Sequence, residues 1–535
     1  MRTAVILALV VVTGTGGEIC LTHAMKLLGE VHDFRPHAIL AFIFRAIRVS
    51  WLWLAVLLMA CSFFSFLAML SWFPVSFVIP ATSLAYVAGA FGAKIFLGEQ
   101  LNATRWAGIL LICFGVAMAW VDDLPAGLQI PSGFTALRWA ILALALGPLF
   151  YYLLGIYSAW RFFRVAHRFS GNAGAGVGTA APISILKPLR GLDPNAYENF
   201  ASFCRQDYPE FEIIFGVSDA EDPAVPVVRQ VMADFPERSM RLLVIAERLG
   251  ANGKVSNLCR MARAARYDLL VITDSDVRVE PGYLRGVAEM FRDPEVGGVT
   301  ALYRGHDNVQ AGSKRSPHPL QFVAAMDCVG SSAAFCGAAL VARELEGVKF
   351  MMGSTMATTK QRLSEIGGFE AMADLHSDDY ELGRRIADLG YRIELLPEPV
   401  WMAFPSQTLG KYLRHELRWA IGIRNIRPGG HFGMLFTHGL PWAIAAACVA
   451  PSESIGAAYL GAYFVLRFAM AWAVGVWGLR DPILRRRFWV LPVRDLLSFF
   501  VWLASFGMNR IEWRGMAFTL EKGRMIPVTP RSQRS

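Results

Sequence analysis

The sequence predicts an α/β domain, built on a mostly parallel sheet, flanked by transmembrane α-helices. Apolar residues concentrate towards the two ends of the chain, and a polar block of ordinary composition lies between roughly 165 and 430. Inside that block, short β-branched runs alternate with helical patterns. Such alternation favours a parallel sheet covered by helices on both faces.

The apolar ends set the membrane part. The chain has 535 residues, of which 54% are hydrophobic and 18% charged. That is too long for one compact domain and richer in apolar residues than a soluble protein. A bilayer core needs about 20 mostly apolar residues in a helix. Five stretches before the polar block meet this need: 4–26, 51–73, 75–97, 104–121 and 137–159. Two follow it, 433–451 and 455–478, and a third, 488–508, is interrupted by Arg494 and Asp495. Arg2 and the run from Ala4 to Val12 resemble a signal peptide, but no small-x-small cleavage site follows, so a retained first helix is expected.

Loop charges orient these spans, because Lys and Arg are retained on the cytoplasmic side. The first loop region carries Lys26, Arg35, Arg45 and Arg48, the third region carries Lys94 and Arg105, and Arg161, Arg164 and Arg168 come after the fifth span. The loops between them lack this basic excess. The alternation puts the polar block in the cytoplasm. The basic tail (Arg510, Arg514, Lys522, Arg524) breaks the alternation and leaves 488–508 open between an interfacial and a spanning helix. The net charge of +9 is explained by these flanking residues, which points to a membrane rather than to nucleic acid. Eight cysteines form no C-x-x-C pair, which argues against a zinc or disulfide framework. Gly171–Gly178 lacks the Lys-Ser/Thr ending of a phosphate loop and reads as a linker.

Four strand–helix pairs are expected in the polar block. Strands at Ile183–Leu186, Glu212–Val217, Arg241–Ile245 and Leu269–Thr273 precede helices near 195–205, 224–235, 254–266 and 281–292. Ligands of such sheets bind at the carboxyl ends of the strands. Acidic residues stand there. Asp274 and Asp276, one residue apart after an apolar strand, can hold one magnesium or manganese ion with their oxygens. The same pair serves equally well as a turn or helix cap. Asp379 opens a helical pattern, where a carboxylate acts either as a general base or as a cap, and Asp378 beside it raises the proton affinity of the pair. Arg418 and Trp419 combine a phosphate-binding cation with a stacking surface, or else form an interfacial anchor. Lys254 and Asn257, at a helix start after the third strand, suit a diphosphate or a solvated helix face.

Taken as an ordered set, these residues resemble a known family. The series Ile185–Gly191, Ser218–Pro223, Asp274-Ser-Asp276, Asp378-Asp379 and Arg418-Trp419 is similar to that of the ceramide glucosyltransferase family, glycosyltransferase family 21. The likeness is greatest to a bacterial branch that glycosylates hopanoids. It covers roughly 137–525, including the tail motif Glu512–Gly515. The resemblance implies a GT-A fold, a UDP-sugar donor, a Mg2+ or Mn2+ cofactor and inversion at the anomeric carbon. It implies that Asp219 contacts the nucleoside, with Asp222 in the same loop, and that Asp274 and Asp276 hold the metal. It further implies that Asp379 is the base beside Asp378, and that Gly353–Met356 is the donor-sugar loop. Lys187, Lys254, Asn257, Arg418 and Trp419 join the donor set. His415 joins it too, standing where Gln or Arg is usual in the family.

The first 125 or so residues resemble something else. Glu18 in the first span and Gly98–Gly108 are similar to EamA and small multidrug resistance transporters, and an intramembrane carboxylate is a functional candidate by default. The expected organisation is therefore a four-helix EamA-like membrane domain (1–125), a transmembrane helix (137–159), a GT-A domain (180–425), C-terminal transmembrane or interfacial helices (430–508) and a basic tail (509–535). The expected activity is transfer of N-acetylglucosamine from UDP-GlcNAc to a hydroxyl of a hopanoid polyol, in the bacterial inner membrane with the catalytic domain cytoplasmic. A ceramide or other sphingolipid acceptor, a processive polysaccharide synthase and a transporter with a nucleotide-sugar-sensing domain are the alternatives.

Overall fold

A computed structural model describes residues 2–28, 42, 44–72, 75–97, 132–169, 181–306, 318–405, 407–513 and 516–528. The chain divides into two units. One contains residues 1–146 and 445–457, the other 147–444 and 458–535.

In the first unit the helix Arg2–Leu28 packs along the helix Ser50–Trp72. Glycines permit the close approach: a Cβ on Gly17 would stand 2.6 Å from Met59 Cγ and 3.2 Å from the Ala55 carbonyl. The third expected span is two helices, Val75–Thr82 and Leu84–Leu97. Glu18 lies on the exposed side of the first helix. The expected span 104–121, the Gly98–Gly108 motif and the Gly171–Gly178 linker lie outside the described residues.

The second unit is built on a seven-stranded mixed sheet. In chain order its strands are β1 (Ile183–Pro188), β2 (Phe211–Val217), β3 (Ser239–Val244), β4 (Leu269–Ile272), β6 (Val296–Thr300), β8 (Met356–Thr359) and β9 (Arg392–Leu395). Their spatial order is β3-β2-β1-β4-β8-β6-β9. The first four are mutually parallel and joined by helices, as the α/β reading requires. β1, β2 and β4 are buried along their whole length, which is why they read as near-continuous apolar runs. The helices between them (Ala196–Cys204, Ala224–Asp234, Gly253–Ala264) match the expected positions to within two residues. A GT-A α/β domain flanked by apolar helices is thus the architecture.

β8 decides where the chemistry falls. It runs antiparallel to β4, with Met356 opposite Ile272. The residues just before β8 therefore lie beside those just after β4. Glycine 353 meets the Asp274–Asp276 turn for this reason. A small sheet of β5 (Val277–Arg278), β10 (Val400–Ala403) and β7 (Tyr303–His306) closes one side. A three-stranded antiparallel sheet, β11 (Arg510–Trp513), β12 (Met516–Glu521) and β13 (Arg524–Pro527), packs Ile511, Phe518, Leu520 and Met525 against Ile421 of the helix Leu409–Ile426.

Six helices among the described residues are long and apolar enough to cross a membrane. One was not expected: Phe322–Glu346, inside the polar block, with 72% of its apolar window buried within the protein. It is an α-helix to Val329, a π-helical turn from Gly330 to Phe335, then an α-helix again. The helix Phe488–Ser505 contains Arg494 and Asp495 without a break. Asp495 is buried against Arg467 at 2.7 Å, with a further bond from the Tyr463 hydroxyl at 3.0 Å. Charges that interrupt the pattern in sequence are thus paired in the fold. Residues 428–449 form two helices bent by 56°.

Candidate active site

A cavity of about 800 Å³ opens at the carboxyl end of the sheet. The cavity wall brings together Asp274, Asp276, Lys254, Asn257, Gly353, Asp378, Asp379, His415, Arg418 and Trp419. Residues separated by more than 160 positions meet because strand ends, the β8 return and the Leu409–Ile426 helix converge there.

Gly353 is the joint of the site. Its amide donates to Asp379 Oδ2 at 3.1 Å, and its carbonyl accepts from the Asp274 amide at 3.0 Å. A Cβ at this position would lie 2.3 Å from Asp274 Oδ2, so only glycine fits between the two carboxylates. Asp379 also accepts from the Tyr380 amide at 2.8 Å, on the first turn of the helix Asp378–Asp388. Burial pushes its pKa up to about 6, and the Asp378 charge adds to this against the opposing field of Lys254. A base with that pKa is ionised at neutral pH yet has useful proton affinity.

Lys254 ties the acidic groups together. Its ammonium lies 2.8 Å from Asp274 Oδ1 and 3.1 Å from Asp378 Oδ2. Burial opposes its charge, yet the fields of Asp274, Asp378 and Asp379 hold its pKa above the ordinary lysine value. Asn252 caps the Lys254 helix, accepting from the amides of residues 254 and 255, and its side chain donates to the Leu375 carbonyl at 2.8 Å. This fixes the helix start against the loop that carries Asp378.

The residues fit a divalent cation. Asp276 Oδ1 is buried and makes no hydrogen bond among the described residues. Burial and the charges of Asp274 and Asp193 push the Asp276 carboxyl up to about 7. A buried carboxylate with a bare oxygen and like-charged neighbours is stabilised by a cation with oxygen affinity, which Mg2+ and Mn2+ are. Asp193, which sequence reasoning missed, accepts the Ser275 hydroxyl and so orients the turn between the two aspartates.

Three of the expected donor residues do not line the cavity. Lys187 is fully buried behind it, donating to Thr273 Oγ1 at 2.8 Å and the Asp274 carbonyl at 3.0 Å, above the Phe203 ring at 3.9 Å. It braces the strand end; burial lowers its pKa to about 7, against the raising fields of Asp276 and Asp274. Asp222 accepts from the Gly191 amide at 2.9 Å and from the Ala224 amide at 2.9 Å, joining the β1 loop to a helix start. Gly191 itself has φ +76°, a conformation that suits glycine. Asp219 is exposed and accepts from the Glu221 amide. Ser218, beside it, does reach the cavity and donates to Asn257 Oδ1 at 3.1 Å.

On the opposite wall, Trp419 is 39% exposed and meets Phe335 edge-on at 5.6 Å. His415 stands 6.0 Å from the Trp419 ring. Burial, aided by the Arg418 charge, lowers the His415 pKa to about 4, so the ring is neutral at physiological pH. His376, beside Asp378, is likewise held near 4 by burial and packs edge-on against Trp513 at 5.9 Å. Trp513 of the tail therefore packs directly against the loop that leads into Asp378.

The fold and the site define a glycosyltransferase that uses a nucleotide-sugar donor. The sequence profile of Glycosyl transferase family 21 matches residues 140–526, and the chain belongs to that family. It is 26% identical over 369 residues to ceramide glucosyltransferase 1 of Caenorhabditis elegans, covering 66% of this chain and 75% of that one. Ceramide glucosyltransferase 3 of the same organism is 27% identical over 238 residues, 44% of this chain and 49% of that one. That of Gibberella zeae is 32% identical over 139 residues, 24% and 26%. Among solved structures, a mannosyltransferase of Pyrobaculum calidifontis in complex with GDP-Man and Mn2+ aligns with a TM-score of 0.35 at 19% identity, over 66% of this chain and 99% of that one.

Proposed function

We propose that this protein transfers N-acetylglucosamine from UDP-GlcNAc to a hydroxyl of a hopanoid polyol, by inverting displacement. The observation that carries the chemistry is the Gly353 joint, which holds the base Asp379 beside the Asp274–Asp276 pair in one cavity. Asp379 takes the proton from the acceptor hydroxyl as its oxygen attacks the anomeric carbon. Lys254 and Arg418 face the leaving diphosphate, and Trp419 offers a stacking wall. A bound divalent cation supplies further charge stabilisation to the diphosphate oxygens. Asp274 and Asp276 would hold it.

The lipid nature of the acceptor is supported by the same cavity. It passes from these carboxylates to Tyr152, Met470, Val501 and Trp502, which belong to apolar helices. Sugar and acceptor identity rest on the resemblance to the hopanoid branch. The names of the relatives favour a second reading, glucose transfer to ceramide. The same resemblance supports a bacterial inner membrane, and the basic loop charges support a cytoplasmic catalytic domain; on the separate likeness carried by Glu18 and Gly98–Gly108, residues 1–125 are an EamA-like unit with a transport, accessory or dimerising role.

The test is a membrane assay of the full chain with UDP-GlcNAc or UDP-glucose, a hopanoid polyol or ceramide, and magnesium or a chelator. Lipid products are read by mass. An N-acetylhexosamine on the hopanoid, lost with chelator, is the expected result. A hexose on ceramide selects the second reading. No glycolipid from any pair overturns both.

A further inference from the structure

Beyond the catalytic carboxylates the cavity ends in a polar cluster that the transfer chemistry does not use. Gln407 donates to Asp327 Oδ2 at 2.9 Å. Ligand atoms of Asp327, His415 and Glu416 lie within 4.8 Å of one another. Arg494 pairs with Glu416 at 3.4 Å, and its sequence neighbour Asp495 holds Arg467 through two bonds of 2.7 and 3.0 Å. All of these side chains line the cavity.

Three buried atoms in the cluster make no hydrogen bond among the described residues: Arg467 Nη1, His415 Nδ1 and Arg494 Nε. Arg467 itself is only 3% exposed. A buried polar atom left unpaired costs about 1–3 kcal/mol, more for a charged group. A partner supplied by a ligand removes that cost. The path from the transfer site is continuous: Tyr303 stacks on Phe335 at 5.6 Å, Phe335 meets Trp419 at 5.6 Å, and Trp419 meets His415 at 6.0 Å.

The charges say what kind of ligand fits. Two guanidiniums, Arg467 and Arg494, stand against three carboxylates, Asp327, Glu416 and Asp495. A phosphate headgroup finds no positive surplus there. Hydroxyls both donate and accept, and the cluster offers both kinds of partner side by side. A divalent cation would have to displace Arg494 from Glu416 and the Gln407 amide from Asp327.

Building on the lipid-acceptor reading, we infer that the Asp327–Gln407–His415–Arg467 end of the cavity is a headgroup site. It hydrogen-bonds the non-reacting hydroxyls of a neutral, polyhydroxylated lipid. Asp327, Gln407 and Arg467 set acceptor specificity and leave donor use unchanged.

The experiment compares two acceptors in the full-length protein: a long-chain tetraol lipid and its mono-ol analogue with the same reacting hydroxyl. The parent should favour the tetraol by about 10–100-fold in kcat/KM, one to two hydrogen bonds' worth. In Gln407→Ala and in Asp327→Asn that preference should fall to within about threefold, with the KM for UDP-GlcNAc unmoved. Gln407 is half-buried in a loop, so its variant keeps the test open even if Asp327→Asn does not fold. Equal use of both lipids by the parent, or full discrimination in both variants, overturns the inference alone. A stoichiometric metal ion that His415→Ala removes, with discrimination intact, overturns it in favour of a cation site. No transfer to either lipid by the parent is the failure of the lipid-acceptor reading itself, and the inference falls with it.

Discussion

The two ends of the cavity bury charge in opposite ways. At the sheet end, carboxylates outnumber their partners: Lys254 pairs with Asp274 and Asp378, Asp379 is held by the Gly353 and Tyr380 amides, and Asp276 keeps a bare oxygen. At the helix end, every carboxylate is bonded, and the bare atoms include two guanidinium donors, Arg467 Nη1 and Arg494 Nε, beside His415 Nδ1. A spare acceptor suits a cation and a developing proton transfer. A spare donor suits a neutral ligand oxygen. On the proposed reading, this contrast separates chemistry from recognition along one cavity.

The largest expected effect breaks the sheet end. Asp276→Asn, or a chelator acting on the parent, should reduce turnover by about 10²–10³-fold, measured as glycolipid per unit time. Parental turnover in the variant would remove Asp276 from the site. Next comes Gly353→Ala. Its methyl would sit 2.3 Å from Asp274 Oδ2, so a loss of about 100-fold in kcat should accompany a stability change of only about 1–3 kcal/mol. Circular dichroism melting beside the rate assay distinguishes the two.

The helix end answers to stability first. Arg467→Met leaves Asp495 buried without its guanidinium partner, with the Tyr463 hydroxyl still bonded to it, which should cost about 3–5 kcal/mol in unfolding measurements. Replacing both, Arg467→Met with Asp495→Leu, should recover most of that loss. If the double variant melts no higher than the single, the pair is not the source of the cost.

A milder perturbation is pH. In the proposed mechanism Asp379 works as its anion, and its pKa, raised to about 6, lies above the ordinary carboxylate value. kcat/KM should be level above that pH and fall about tenfold per unit below it as the base is protonated. A rate that stays level down to pH 5 would exclude Asp379 as the base.

Much of the fold was legible because β1, β2 and β4 are buried on both faces and read as short apolar runs between turn signals. The positions of Asp274 and Asp379 after a strand and at a helix start were legible for the same reason. The Gly353 joint was not legible from spacing, since it depends on the antiparallel return of β8 opposite β4, and only family likeness pointed to it. Lys187, Asp219 and Asp222 show the reverse case. Their motifs sit at strand ends, yet Lys187 and Asp222 are spent on bracing and Asp219 faces outwards. The helix Phe322–Glu346 escaped although it is as apolar as Glu453–Gly478, because it lies inside a block whose composition is otherwise ordinary and polar. Asp327 was missed with it. Asp495 read as an interruption because its partner, Arg467, lies 28 residues away on another helix.

One measurement tests the central claim most directly: binding of UDP-GlcNAc with Mn2+ and transfer to lipid, both determined on the Asp379→Asn protein. The arrangement around Gly353 predicts donor binding within about twofold of the parent and transfer reduced by about 10²–10⁴-fold. Transfer at the parental rate would contradict the assignment of Asp379 and, with it, the account of how this cavity works.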